Sequence, residues 1–206
     1  MNQQFEQVDV MALNVDFSKQ IKKHELRYGI EGVYNKVNST AITTDIEMDT
    51  SAAYTTRYPD GGSTVQSFAA YFTHTFELED KLVINDGIRY SNINLRSSWI
   101  DTTFYPFPFN SFEQKNNALT GSLGIVYKPT PDWKISLAGS TGFRAPNVDD
   151  LSKVFESTVG NIIVPNPDIK PEYTYNVDLG VQKVFNKRVS VNVVGFYTWY
   201  TNYISV

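Results

Sequence analysis

Two groups of residues have types and spacing that could do chemistry, and the chemistry is binding. The first group is aromatic: Tyr54, Tyr58, Trp99, Tyr105, Phe107 and Phe109 lie in or beside stretches punctuated by Tyr58-Pro59-Asp60-Gly61-Gly62 and Tyr105-Pro106-Phe107-Pro108-Phe109, which read as loops. Aromatic faces on loops can stack on a flat organic ligand, or they can pack loop against loop. The second is Arg144, whose guanidinium presents five donors in a rigid fork suited to a carboxylate, either a ligand's or a neighbouring strand's. Asp149, Asp150 and Glu156 could hold a cation, although acids in a solvated loop usually do not. The two histidines, His24 and His74, are far apart in sequence, and structural roles are expected for both rather than a metal site. No nucleophile, base and acid fall into a catalytic pattern, and no glycine-rich phosphate loop precedes a helix. The chain is therefore expected not to be an enzyme, and no cofactor is implied.

The elements that must position these residues are strands. Among 206 residues there are 13 Tyr, 13 Phe and 3 Trp, with many Val, Ile, Thr and Asn, a mixture that favours pleated, half-buried segments. No apolar run approaches the roughly 18 residues of a spanning helix, so any contact with a bilayer would have to be through a closed barrel. A mean hydropathy of -0.30 is compatible with that, because only alternate residues of a barrel strand face lipid. Cysteine is absent, which removes thiolate sites and disulfides. The residues Met1-Asn2-Gln3-Gln4-Phe5-Glu6 lack the basic and apolar regions of a secretory signal, so the expectation is an intracellular protein or an internal piece of a longer one. A net charge of -4 without a basic cluster speaks against a nucleic-acid partner.

Eight alternating segments are visible, the first from Phe5 to Phe17. In the second, Leu26, Tyr28, Ile30, Gly32 and Tyr34 alternate with Arg27, Gly29, Glu31 and Asn35; in the third, Phe68, Ala70, Phe72, His74 and Phe76 share a face. The fourth runs from Leu82 to Leu95. Later segments set Leu119, Gly121, Leu123, Ile125 and Tyr127, then Trp133, Ile135, Leu137 and Gly139, then Tyr173, Tyr175, Val177, Leu179 and Val181 on one side, and the last spans Val189 to Tyr203. Ser18 to Lys23, Glu79-Asp80-Lys81, Lys128 to Asp132 and Asn186-Lys187 are short turns. Long loops are expected at about 46–63, 97–115 and 144–171, the last with a helical turn near Asn147 to Ser152 capped by Asn147. Short and long connections thus alternate strictly, as in a barrel with one rim in a confined space and the other facing outside. Ser, Thr, Asn, Gln, Asp and Gly on the second face suit a wet lumen. Tyr127, Trp133, Tyr173, Trp199 and Tyr203 near strand ends fit interfacial girdles.

Two motifs go further. Phe143-Arg144-Ala145-Pro146 and, after a gap, Asn166-Pro167-Asp168-Ile169 resemble the FRAP and NP-(N/D)-L boxes of TonB-dependent outer-membrane receptors, with Ile169 where Leu is usual. Leu119 to Tyr127 and Tyr173 to Gly180 resemble strands of the same family. The style is similar to receptors of Bacteroidetes-type bacteria, including the siderophore- and haem-uptake-like members. The resemblance implies an all-β, antiparallel transmembrane barrel of about 22 strands around a plug. Residues 1–206 would then be one partial barrel domain, without the plug and the remaining strands.

The resemblance further implies active uptake across the bacterial outer membrane of an iron chelate, meaning a siderophore, or a haem compound. This chain would supply barrel wall and ligand-facing loops, with lipid around it and a TonB-type energy-transducing protein engaged through the absent plug. Haem receptors of this pattern are expected to carry a haem-ligating His between the two boxes, and Asn147 to Asn166 contains none. Two alternatives stay open from the residues: a non-coupled porin-like barrel, and a soluble extracellular β-sandwich that binds through aromatic loops. A lipid-facing band containing Phe68, Phe72, Leu123, Ile135 and Val191 would demand detergent, and a sandwich would not.

Overall fold

The computed structural model describes residues 1–104, 106, 108–152, 155–158, 161–166 and 168–204, with backbone alone for 155–158 and 161–163. Tyr105, Phe107, Pro167 and the Glu156 side chain lie outside what it describes. The strands are β1 (Asn2–Ile21), β2 (His24–Asp45), β3 (Thr50–Ala53), β4 (Ser63–Leu78), β5 (Leu82–Ser98), β6 (Ser111–Tyr127), β7 (Trp133–Arg144), β8 (Phe155–Thr158), β9 (Asn161–Ile163), β10 (Glu172–Phe185) and β11 (Val189–Thr201), with one helix, α1 (Val148–Ser152). The eight long strands form an antiparallel meander in the order β1-β2-β4-β5-β6-β7-β10-β11, and the short β3 pairs with β2 to make a nine-stranded sheet. β8 and β9 form a separate two-stranded hairpin within the last long loop. The sheet is open, with β1 and β11 as its edges.

The strands reach further than hydrophobic alternation alone predicts. β1 continues to Ile21, so the first turn is only Lys22-Lys23 and not the stretch from Ser18. Lys22 takes a φ of 53° there, a left-handed conformation that so tight a reversal requires. At the other rim β5 runs to Ser98 and β6 starts at Ser111, which shortens the expected 97–115 loop to 99–110. A spanning strand needs only about 9–11 residues. β1 and β2, with 20 and 22, must therefore project beyond any bilayer, and there their outward side chains turn polar because water replaces lipid.

Register places the apolar residues in continuous rows. One row runs Val15, Ile30, Ala70, Tyr90, Leu119, and the next Phe17, Tyr28, Phe72, Ile88, Gly121. Another joins Ile84, Ile125, Leu137, Leu179 and Gly195. The opposite face reads Asp16, Gly29, Tyr71, Arg89, Thr120, where Arg89 pairs with Glu31 and Tyr71 donates to Asp16 across Gly29. Leu119 is 66% exposed and Leu179 52%, so this protein chain does not itself cover the apolar rows. Leaving several such side chains in water would cost about 1.5–3 kcal/mol each. Only an apolar medium beside the sheet makes the arrangement stable, and the band Phe68, Phe72, Leu123, Ile135 and Val191 lies within it. A β-sandwich would bury this face under a second large sheet; among the described residues there is none, and that reading falls. Among the described residues no helix is long and apolar enough to cross a membrane.

Aromatic residues collect at both ends of the apolar rows. Tyr127 and Trp133 flank the short β6–β7 turn, where Lys183 Nζ sits 4.7 Å from the Trp133 ring centre. Tyr197 and Trp199 meet edge to face at 4.4 Å toward the loop end of β11. The buried hydrophobic residues Leu95, Val148 and Leu151 gather at the loop end, on the inner side of the sheet.

Candidate ligand-facing loops

The last long loop is built from its two motifs. β7 ends with Phe143 packed on Tyr173 of β10, ring centres 5.3 Å apart, and then Arg144. Its guanidinium grips both carboxylate oxygens of Asp150, at 2.9 and 2.7 Å, and reaches Glu172 Oε2 at 3.2 Å. Those acids are largely shielded, with side chains 8% and 15% exposed. One cation thus ties together the end of β7, the start of α1 and the start of β10. The Ile204 backbone N–H, and after it Arg144, pull the Glu172 carboxyl below its ordinary range.

Asn147 and Asp150 make a reciprocal cap. Asn147 Oδ1 accepts from the Asp150 N–H at 2.9 Å, and Asp150 Oδ2 accepts from the Asn147 N–H at 2.9 Å. The cap accounts for a helix of only five residues, which alone would not hold. Val148 and Leu151 project from it into a cluster with Leu95, against which Tyr58, Val65, Phe112 and Ile169 pack. The second motif closes on the first through Asn166 N–H to Leu151 O at 3.1 Å and Gln114 Nε2 to Ile169 O at 2.6 Å. Asn166 Oδ1 accepts from Asp168 N–H at 3.0 Å, a side-chain-closed turn. Ile169 is half-buried in an apolar slot that asks for a branched aliphatic volume, which Ile fills as Leu would.

Of the aromatic candidates, Tyr58 joins this assembly. Its hydroxyl donates to Asp149 Oδ1 at 2.6 Å, and burial followed by that carboxylate pushes its pKa up to about 12. Tyr54 and Trp99 instead line a cleft of about 280 Å³ over the inner side of β2, with Ala41, Asp60, Asp101 and Phe104. Tyr54 and Phe104 meet edge to face at 6.4 Å. Trp99 is 9% exposed, held against Phe109 and Phe112 at 5.7 and 5.8 Å. The acids in the cleft are engaged by their own loop: Asp60 accepts from the Ile100 and Asp101 N–H groups at 2.8 and 2.9 Å, and Asp101 from Thr103 N–H at 2.9 Å. The Thr103 hydroxyl and then its N–H hold the Asp101 carboxyl below its ordinary range.

Sequence reasoning missed Phe104, Asp60 and Asp101 as cleft residues. Asp60 stood inside the Pro-Asp-Gly-Gly punctuation and could have been read as a loop-bridging cap, whereas Phe104 carried no distinguishing neighbour. The contact between His24 and His74 was also unforeseen: His24 Nδ1 lies 2.9 Å from His74 Nε2, and His74 Nδ1 lies 2.9 Å from Asp86 Oδ1. The imidazoles are nearly coplanar, 16° apart, with centres at 5.1 Å. Such a head-on arrangement fits a shared proton and leaves no room for an ion. Among the described residues no group of three or more His, Cys, Asp or Glu is placed to hold a metal.

Known structures share this architecture. The chain superposes on the copper transporter OprC with a TM-score of 0.73 at 14% identity, over 95% of this chain and 30% of that one. It matches the ferric yersiniabactin uptake receptor FyuA from Yersinia pestis at 0.59 and 20%, over 96% and 29%. It also matches the Serratia marcescens hemophore receptor HasR, solved with its hemophore HasA and heme, at 0.62 and 14%, over 98% and 34%. The chain thus spans about a third of the length of these proteins. The family model described as TonB dependent receptor-like, beta-barrel, matches residues 2–206, and the chain belongs to that family, whose barrels lie in the bacterial outer membrane.

Proposed function

We propose that this chain is part of the barrel wall and three external loops of an energy-coupled uptake receptor whose cargo is an iron chelate, a siderophore or a haem compound. In the intact receptor a plug domain and further strands complete the barrel, and the plug engages a TonB-type protein. The observation that supports this reading is the pairing of the two boxes. They do not merely occur in sequence; they interlock through Arg144, Asp150, Leu151 and Ile169 and fix an external loop beside an aromatic cleft on the lumen side. A simple porin has no need of such a loop anchor.

Within this class an aromatic chelate is favoured over haem. Tyr54 and Phe104 offer ring faces and edges, with the buried Trp99 as part of the cleft lining, and His24 and His74 both sit on the outward side of the sheet, away from the cleft. The cleft, at about 280 Å³, falls just below the usual range of about 300–1,000 Å³ for ligand pockets, consistent with a partial surface completed by other loops. The test is growth of the host under iron limitation with single iron sources, comparing wild type with a deletion of the full gene. Loss of growth on catecholate or other aromatic chelates, restored by the wild-type gene and poorly by Tyr54→Ala/Phe104→Ala, is the expected result. Unchanged use of every chelate and of haem in the deletion strain would reject this cargo class.

A further inference from the structure

We propose that the cleft over the inner side of β2 selects a chelate that carries a protonated amine arm. A ring of the chelate lies against Tyr54 and Phe104, its ammonium group meets Asp60 and Asp101, and Ser39 at the cleft floor accepts from an N–H of the arm. The inference rests on the uptake reading above and narrows it to one class of cargo. The sign of the charge is the first ground. Asp60 and Asp101 line the cleft, and among the described residues no Lys, Arg or His does so. Glu6 stands directly opposite Ser39 in the β1–β2 register and adds a third carboxylate on the same face. The neighbouring cations are placed elsewhere: Arg57 lies over the Tyr58 ring, 5.5 Å from its centre, and Arg144 is committed to Asp150 and Glu172.

The two acids keep capacity for a donor. An ionised carboxylate offers about four acceptor sites on its two oxygens. Asp60 spends one on each oxygen, on the Ile100 and Asp101 N–H groups, and Asp101 uses Oδ1 alone, for the Thr103 N–H and hydroxyl. Neither acid forms an ion pair among the described residues. The bond from the Asp101 N–H to Asp60 Oδ2 brings the two residues together, with Asp60 half-buried and Asp101 exposed. An ammonium group, with three donors, suits such a pair and makes the stronger, charge-assisted kind of hydrogen bond. A carboxylate arm in the same place would meet like charge.

The cleft floor supplies a second, independent ground. Ser39 lies on the inner face of β2, lines the cleft and is 1% exposed, yet its hydroxyl has no hydrogen-bond partner among the described residues. Buried polar groups are nearly always paired, and an N–H of the cargo would complete this one. Volume sets how much of the chelate enters. A cavity of about 150 Å³ holds one benzene ring, so the cleft, at about 280 Å³, admits one ring and its arm while the rest of the chelate stays at the mouth. Tyr54 and Phe104, with 64° between their planes, present a face and an edge to that ring, and Phe104 is 45% exposed.

The test is calorimetric titration of the full-length receptor in detergent with ferric tris-hydroxypyridinone complexes, which are neutral at the metal and differ only in their arms: aminoethyl, N-acetylaminoethyl or N-succinylaminoethyl. The aminoethyl complex should bind about tenfold or more tighter than the acetyl form, and the anionic succinyl form should bind most weakly. Asp60→Asn/Asp101→Asn should weaken the aminoethyl complex about tenfold or more and leave the acetyl form within about twofold, whereas a merely structural role would weaken all three alike. Glu47→Gln, which removes an acid from the β2–β3 turn outside the cleft, should change none of them. Ser39→Ala should weaken the aminoethyl and acetyl complexes alike, since both arms carry an N–H, without lowering the heat-modification midpoint of the barrel. If the double variant lacks the heat-modifiable gel mobility of a folded barrel, Asp101→Asn alone replaces it. Equal binding of the three complexes, equal loss of all three in the aspartate variant, or unchanged binding in Ser39→Ala would overturn the proposal and leave the uptake reading standing. Binding of none of them would overturn it too, and growth on single iron sources then judges the uptake reading separately.

Discussion

Leu151→Ala should undock the last long loop without unfolding the barrel. Leu151 is fully buried, contributes the largest apolar side chain of α1, and meets Leu95 of β5 in the buried apolar cluster that holds the helix down. Truncating a buried Leu to Ala costs about 2–5 kcal/mol, with the smaller values where the surroundings can collapse. A five-residue helix at a loop can collapse, so about 2–3 kcal/mol is expected, which is about 30- to 150-fold in a local opening equilibrium. The probes are already in place. The Leu151 N–H is bonded to Asn147 O and the Asn166 N–H to Leu151 O, both at 3.1 Å, so their hydrogen exchange reports the opening directly. In the full-length receptor, peptides covering these amides should exchange faster by that factor, while β10 peptides around Val177 keep their protection. Leu151→Met, which conserves volume, should cost less than about 1.5 kcal/mol and serves as the control. Unchanged exchange at Leu151 and Asn166 would show that the cluster does not hold the loop. Equal acceleration throughout β10 would show that loop and wall are one cooperative unit.

Three further outcomes follow from single side chains. Arg144→Lys should loosen the 145–171 loop and Arg144→Ala more so, by about 1 kcal/mol after discounting its partial exposure, because the fork onto Asp150 and Glu172 is lost; weakened cargo binding with unchanged loop exchange would instead show that Arg144 touches the cargo. Tyr58 is raised to about 12, so its contact with Asp149 is fully present below pH 10 and is lost as pH rises toward 12; the phenolate absorbance difference between wild type and Tyr58→Phe should have its midpoint near 12, and an ordinary midpoint near 10 would refute the contact. Gly29→Ala would place a β-carbon 2.6 Å from Val15 O, 2.7 Å from Asp16 Oδ1 and 2.9 Å from Tyr71 Cε1, displacing the Tyr71–Asp16 bond at a cost of about 1–3 kcal/mol; an unchanged heat-modification midpoint in a gel assay would argue against that close approach.

The wall was legible because its rule is local. A period of two needs no knowledge of the partner strand, so Leu119, Leu123 and Ile125 could be assigned to one face before β5 and β7 were known to flank them. The ends of the strands were not legible by the same rule. Alternation fades where lipid gives way to water, yet backbone pairing continues through Arg96 and Glu113, since polar side chains do not weaken the ladder. The loops divide along the same line. Asn147 and Asp150, three residues apart, form a cap that spacing alone suggests. Glu172 is 28 residues from Arg144, and Asp149 is 91 from Tyr58, so which acid each would meet depended on how the loops fold back. The same fold-back separates Tyr58 from Tyr54, although they are four residues apart in one loop and looked equivalent. One is anchored to α1 by its hydroxyl's bond to Asp149; the other lines the cleft, where Phe104, from a different loop, gives its ring a partner. Residue type therefore identified the chemistry available to the loops, and long-range contacts decided which side chains were committed to holding them in place.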